Sequence, residues 1–177
     1  MPFLTVCVVI FHESKILLTK RDDFRIWCLP SGGVEDRETV AEAAIRETKE
    51  ETGLEVELTR LVGIYSRPAD LPSGHAIVFA AKPIGGEIRS QPGETVEIAY
   101  FDFNHLPTAL AFGHRRRIQD AIQGINGTVV LQQPEDTTQQ TLSREELYAL
   151  RDQSNLLPEQ FYMMRFKPDQ IHEERQV

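Results

Sequence analysis

Glu47, Glu50 and Glu51 stand at relative positions i, i+3 and i+4, so a helix turning about 100° per residue carries all three carboxylates on one stripe. Acidic stripes are usually solvated faces, and this one would repel an anionic ligand. It becomes a site if hard divalent cations stand between it and a phosphate. Mg²⁺ takes oxygen ligands, keeps several waters and is commonly held by carboxylates together with substrate phosphates; Mn²⁺ serves similarly. Such ions polarise phosphoryl oxygens and lower the cost of forming hydroxide. Arg46 lies beside the stripe and offers a guanidinium suited to two-pronged contact with carboxylates.

These residues belong to a longer register. Gly32, Glu38, Arg46, Glu47, Glu50, Glu51, Gly53 and Leu54 fit the pattern G-x5-E-x7-R-E-U-x-E-E-x-G-U at every spacing, where U is a bulky aliphatic. Only Thr48 departs, standing where an aliphatic is expected. Just before the box, Trp27, Leu29 and Pro30 give the order W-x-L-P. On these motifs the chain resembles the Nudix hydrolases.

The resemblance implies a Nudix-like α/β/α sandwich with a mixed β-sheet between helices, and metal-dependent hydrolysis of a phosphoric anhydride. Residue by residue, it makes Glu47, Glu50 and Glu51 ligands for Mg²⁺ or Mn²⁺. Arg46 is expected to reach back to the loop or to Glu47 and set carboxylate orientation rather than touch substrate. Gly32, Gly33, Glu38 and Gly53 are expected to be structural. A further acid should come from the stretch 91–101, which resembles the region before the last core strand of the family. Glu94 and Glu97 both qualify as ligand or base, with Glu94 favoured because it follows Pro92 and Gly93. Either Glu47 or that loop acid would deprotonate the attacking water, giving Arg46, Glu47, Glu50 and Glu94 as the catalytic set. Arg21, Phe24, Tyr65 and Arg67 are the candidates for contacting a nucleotide, although such aromatics more often pack in a core.

Several elements must position these groups. Thr39 with Glu42 three residues on forms a capping box that starts the acidic helix near Val40, and Gly53 suits the left-handed residue that ends it. Ala41, Ala44, Ile45 and Thr48 should form its packing face, with the Thr48 hydroxyl bonding back to the carbonyl four residues earlier. Strands are expected over 3–11, 16–20, 55–65, 75–82, 96–103 and 128–131, and a turn at 83–86 should lead into a strand at 87–89. Ile118, Ala121, Ile122 and Ile125 recur at helical spacing and predict a second helix over the sheet. The apolar strands and two amphipathic helices together predict a layered α/β domain.

Beyond residue 132 the composition turns to Gln, Thr, Pro and acids. Residues 1–132 therefore read as the Nudix-like domain and 133–177 as an extension. In it, 134–141 reads as a linker, and Ser143 with Glu146 opens a helix. Phe161, Tyr162, Met163, Met164 and Phe166 follow and need a surface, on the core or on a partner subunit, which admits a homodimer.

The net charge of −8 argues against nonspecific nucleic-acid binding. The one basic run, 114–117, reads first as a solvated helix start and second as a contact to a substrate phosphate. Cys7 and Cys28 form no CxxC or zinc-like arrangement, and no apolar run approaches the ~20 residues of a membrane span. With no signal-like start, a cytoplasmic protein without membrane contact is expected.

The leading expectation is cleavage of the diphosphate linkage of a nucleoside diphosphate joined to another group. The order from Leu61 to Pro68 resembles the ADP-ribose and nucleotide-sugar branch, and nucleoside triphosphate pyrophosphohydrolysis is the alternative. A non-catalytic nucleotide-binding module is the rival from another class. The intact Arg46-Glu47 and Glu50-Glu51 pairs argue against it, because binding alone does not need them.

Overall fold

The computed structural model describes residues 3–68, 74–135 and 142–177. Most of the expected linker, 136–141, lies outside them. Along the chain run β1 (Phe3–His12), β2 (Lys15–Arg21), β3 (Trp27–Cys28), β4 (Ser31–Gly33), α1 (Val40–Thr52), β5 (Leu54–Arg67), β6 (Gly74–Gly86) and β7 (Thr95–Asp102). They are followed by α2 (His114–Ile122), β8 (Thr128–Pro134), α3 (Arg144–Gln153), α4 (Pro158–Phe166) and β9 (Ile171–Arg175).

β1 shows why the sheet is covered on both sides. Val6, Val8 and Ile10 pack with Ala43 and Ala44 of α1, while Cys7 and Val9 pack with Ile118 and Ala121 of α2 on the opposite face. A strand buried on both faces has no polar side to show, which explains its nearly continuous apolar run. The main path of the sheet is β3-β2-β1-β6-β5-β8-β9, with β7 also on β2 and β4 also on β1. β1–β6 and β5–β8 are parallel and the other pairings antiparallel, so this is the expected mixed sheet between helices. No helix among the described residues is long and apolar enough to cross a membrane.

α1 begins and ends as its sequence dictates. The Thr39 side chain accepts from the Glu42 amide, the Glu42 carboxylate accepts from the Thr39 amide, and Gly53 closes the helix at φ 76°. The Thr48 hydroxyl donates to the Ala44 carbonyl at 2.8 Å. The packing face is turned from the expected one: Ala43, Ala44, Thr48 and Thr52 are buried, whereas Ile45 is 41% exposed. Thr52 repeats the device of Thr48 by donating to the Thr48 carbonyl, so both hydroxyls are satisfied within the helix. Small side chains on this face let α1 lie close to the sheet.

Three further differences have physical causes. β6 does not turn at Pro83 but continues antiparallel to β5 as far as Gly86, a register shift near Val56 absorbing the irregularity. Residues 87–89 consequently form no strand, and the Arg89 amide instead donates to the Thr52 carbonyl at the end of α1. β8 crosses residue 132, and β9 pairs with it, so the extension adds a strand to the same sheet. The basic run is solvated only in part: Arg115 and Arg116 are half-buried, the buried His114 ring accepts from the Leu29 amide at 3.0 Å, and the buried Arg117 donates to Gln132 Oε1 at 3.2 and 3.0 Å. Burial holds His114 well below the usual histidine range, keeping it a neutral acceptor.

Most of the apolar cluster of the extension finds its cover within the chain, although Met164 stays 58% exposed. Phe161 and Tyr162 of α4 are buried against Phe24, Ile26, Cys28 and Ala111, with Leu147, Tyr148, Met163 and Phe166 around them. The Tyr162 hydroxyl accepts from the Phe112 amide at 2.9 Å, which satisfies the one polar atom that α4 takes into this cluster through Tyr162.

Candidate active site

A cleft of about 980 Å³ opens among α1, β4, the end of β2 with its following loop, the loop 91–95 and α3. Glu47, Glu50, Glu51 and Glu94 all line it, as do Gly32, Gly33, Arg21 and Arg46. The helical spacing read from the sequence therefore places the three box acids on one wall, and the loop before β7 brings Glu94 to the same space. Glu97 is not among the lining residues; it lies on β7 beside Lys20 at 3.8 Å.

Arg46 ties this wall together. Its Nε and Nη2 donate to the two oxygens of Glu38 at 3.0 and 2.6 Å, and Nη2 also donates to the Gly33 carbonyl at 3.1 Å. Nη1 donates to Glu47 at 2.9 Å and to Glu50 at 3.1 Å. One planar guanidinium thus holds the loop, the structural acid and two stripe acids in a common frame, as lysine could not. Gly32 leaves room for Glu47: a Cβ there would overlap the Glu47 carboxylate, which would have to move aside.

Electrostatics on this wall are unfavourable by construction. Burial pushes the Glu47 carboxyl up, against the pull of Arg46, and Glu50 and Glu94 add repulsion. Glu51 is pushed up to about 8, mainly by burial; the Ser31 amide pulls it down, while Glu47 and Glu94 raise it further. The Ser31 amide and the Thr19 hydroxyl face its Oε2 at 3.3 and 3.5 Å. A cation of higher charge than Arg46 is the natural counterpart of such a donor set, so the residues fit a hard divalent ion. Among the described residues no three acids converge closely enough to hold an ion in this arrangement, Arg46 taking the oxygens of Glu47 and Glu50 instead.

The expected nucleotide contacts are placed less favourably. Arg21 lines the cleft but grips Asp23 with two prongs, Nε to Oδ1 at 2.9 Å and Nη2 to Oδ2. Phe24 is 3% exposed at the centre of the cluster around α4, anchoring the loop rather than lining the cleft. Tyr65 is 0% exposed and donates to Asp120 at 2.8 Å in the core beneath α2. Arg67 lies 5.5 Å from the ring centre of Phe112 and is not on the cleft. Neither is any residue of the basic run 114–117. Sequence reasoning missed the α3 wall, where Arg144, Tyr148 and Arg151 line the cleft. Their spacing of four and three residues behind the Ser143 cap was the available signal.

A sequence model of the NUDIX domain matches residues 1–121. The ADP-ribose pyrophosphatase of Methanocaldococcus jannaschii is 44% identical over 131 residues, which is 71% of this chain and 76% of that protein. The putative 8-oxo-dGTP diphosphatase of Bacillus subtilis is 35% identical over 126 residues, 69% of this chain and 83% of that protein. Among solved structures, a NUDIX hydrolase from Nitrosomonas europaea superposes with a TM-score of 0.62 at 30% identity, covering 71% of this chain and 75% of that one. Box, fold and relatives agree: the chain belongs to the Nudix hydrolase family.

Proposed function

We propose that this enzyme hydrolyses the diphosphate linkage of a nucleoside diphosphate joined to another group, with ADP-ribose or a nucleotide sugar as the substrate class. The observation that carries this reading is the meeting of Glu47, Glu50, Glu51 and Glu94 on one cleft that also has arginines on its other side. A relative named for ADP-ribose pyrophosphatase activity supports the choice of substrate.

Glu47, Glu50 and Glu51, with Glu94 nearby, would hold Mg²⁺ or Mn²⁺, which when bound would supply Lewis-acid polarisation of the phosphoryl oxygens and offset the charge of the leaving group. Arg46 keeps the carboxylates in register through Glu38 and Gly33. A water attacks one phosphorus of the diphosphate and gives its proton to Glu47 or Glu94, while the bond from that phosphorus to the bridging oxygen breaks and the other phosphate group leaves. Most of the rate enhancement then comes from positioning and electrostatics, as is usual for phosphoryl transfer. No protein nucleophile is needed. Cys28 lines the cleft, but burial pushes its thiol up to about 12, leaving no thiolate to attack.

The test is a panel of dinucleotides, nucleotide sugars, ADP-ribose and nucleoside triphosphates with Mg²⁺ or Mn²⁺, read by phosphate release after phosphatase coupling. Turnover of the diphosphate-linked substrates in preference to triphosphates is expected; the reverse order makes the enzyme a triphosphate pyrophosphohydrolase. In ¹⁸O-labelled water one label should enter one phosphate product in a single turnover. A trapped phosphorylated or nucleotidylated protein would overturn the direct attack.

A further inference from the structure

The family match ends at residue 121, yet one wall of the cleft is built beyond it. α3 presents Arg144, Tyr148 and Arg151 at i, i+4 and i+7, a single stripe of the helix. The stripe is fastened to the loop after β2. Arg151 donates to the Asp23 carbonyl oxygen at 2.8 Å and lies 5.6 and 4.7 Å from the ring centres of Phe24 and Tyr148. The Tyr148 hydroxyl donates to Asp23 Oδ2 at 2.9 Å, on the carboxylate that Arg21 also grips. Phe24, beneath them, is locked by Phe161, Tyr162 and Phe166. α3 is therefore held in place by the extension's own apolar cluster.

The arginines of the cleft differ in one respect. Arg21 pairs with Asp23, Arg25 with Asp22 at 2.8 Å, Arg46 with Glu38, Glu47 and Glu50, and Arg151 with Asp152 at 2.7 Å. Arg144 pairs with no carboxylate among the described residues. Its Nε donates to the Tyr148 hydroxyl at 2.9 Å and its guanidinium lies 5.3 Å from that ring's centre. The Tyr148 oxygen can accept from Arg144 because its own proton goes to Asp23. The guanidinium is oriented at Nε while its two Nη groups keep the fork that matches phosphate oxygens.

We propose that Arg144 is a substrate-binding residue that receives a phosphate oxygen of the nucleoside diphosphate, with Tyr148 and Arg151 as positioning residues. The inference rests on the nucleotide-hydrolase reading above. Its logic is charge: the α1 wall repels an anion, and across the cleft Arg144 is the cation whose charge no described carboxylate offsets. The extension thus adds an anion-binding wall to a cleft in which the charged lining residues of the box are acids and one internally shared arginine.

The experiment compares wild type, R144A, R144K and Y148F on the best substrate of the panel, and measures ADP binding by calorimetry with EDTA present. For R144A, KM should rise about tenfold or more, the scale of one charge-assisted hydrogen bond, with kcat within about threefold and Tm unchanged because the residue is exposed. R144K should recover part of the loss, since it restores charge without the fork. Y148F should raise KM by less than R144A does, because it frees the guanidinium without removing it. ADP affinity should fall about tenfold in R144A. Unchanged KM and ADP affinity in R144A, with an active wild type, overturn the proposal; so does a loss confined to kcat. If wild type turns over nothing in the panel while R144A still weakens ADP binding, the proposed reaction fails and the anion subsite stands.

Discussion

The two walls of the cleft are both charged and are built on opposite principles. On α1, Glu47 and Glu50 share one guanidinium, Glu51 has only the Ser31 amide and the Thr19 hydroxyl, and burial makes the charge on Glu47 and Glu51 unwelcome. On the side of the β2 loop and α3, Asp22, Asp23 and Asp152 each have an arginine, and Asp23 has Tyr148 as well. The first wall is poised for a ligand of opposite charge; the second is a scaffold that holds in position one cation, Arg144, that has no carboxylate partner among the described residues. The contrast makes a prediction: changes on the first wall should cost kcat/KM and spare stability, and changes beneath the second should cost stability and act on KM more than on kcat.

Neutralising the acidic wall should have the largest effect. Glu50→Gln and Glu51→Gln should each lower kcat/KM by about a thousandfold with Mg²⁺, on the scale expected for lost electrostatic stabilisation of the transition state. Thermal unfolding should be unchanged or shifted upward, since repulsion has been removed. Loss of stability with activity retained would make α1 the scaffold and dissolve the contrast.

Phe161→Ala attacks the footing of the other wall. Phe161 is buried against Phe24, so truncation should lower stability by about 3 kcal/mol in denaturant titration. Because α3 loses its seat, KM should rise by a larger factor than kcat falls. An equal fall in kcat at constant KM would disconnect the apolar cluster from binding.

Gly32→Ala sharpens the comparison at a single carboxylate. The added methyl would overlap Glu47, so kcat should fall by about a hundredfold, as for a misplaced catalytic group, while Tm moves little. Near-normal turnover would show that the position of Glu47 is unimportant.

The smallest effect is a slope. Glu51 has its folded pKa raised from 4.5 to about 8, so between those values the folded protein keeps a proton that the unfolded chain has released. Stability of the metal-free protein should therefore fall as pH rises through that window, by about 1 kcal/mol per unit, with Glu47 adding in the same direction. Urea titrations with EDTA should show a flatter slope for Glu51→Gln. An identical slope would acquit Glu51 as its source.

What could be read from the chain alone follows from the range of the forces involved. The caps of α1, the carboxylate stripe and the Thr48 back-bond are settled within four residues, and all were legible. The face that α1 buries depends on its crossing of the sheet, which periodicity does not contain, and Ile45 was misplaced for that reason. Tyr65 reads the same as core or as site until Asp120, far along the chain, captures its hydroxyl. β9 has little apolar alternation because its place is dictated by the exposed side of β8. The α3 wall was visible only as a spacing of arginines and tyrosine; it faces a cleft only once α4 has closed over Phe24.

β9 has a consequence of another kind. It forms the outer margin of the sheet with His172, Glu173, Glu174 and Arg175, and beneath it β8 carries Val129, Val130 and Leu131. An uncovered strand of that apolar composition is a template on which a second molecule can zip its own backbone, whereas a short, charge-rich margin discourages such growth. The segment that supplies the arginine wall therefore also covers the edge of β8 with a short, charge-rich strand.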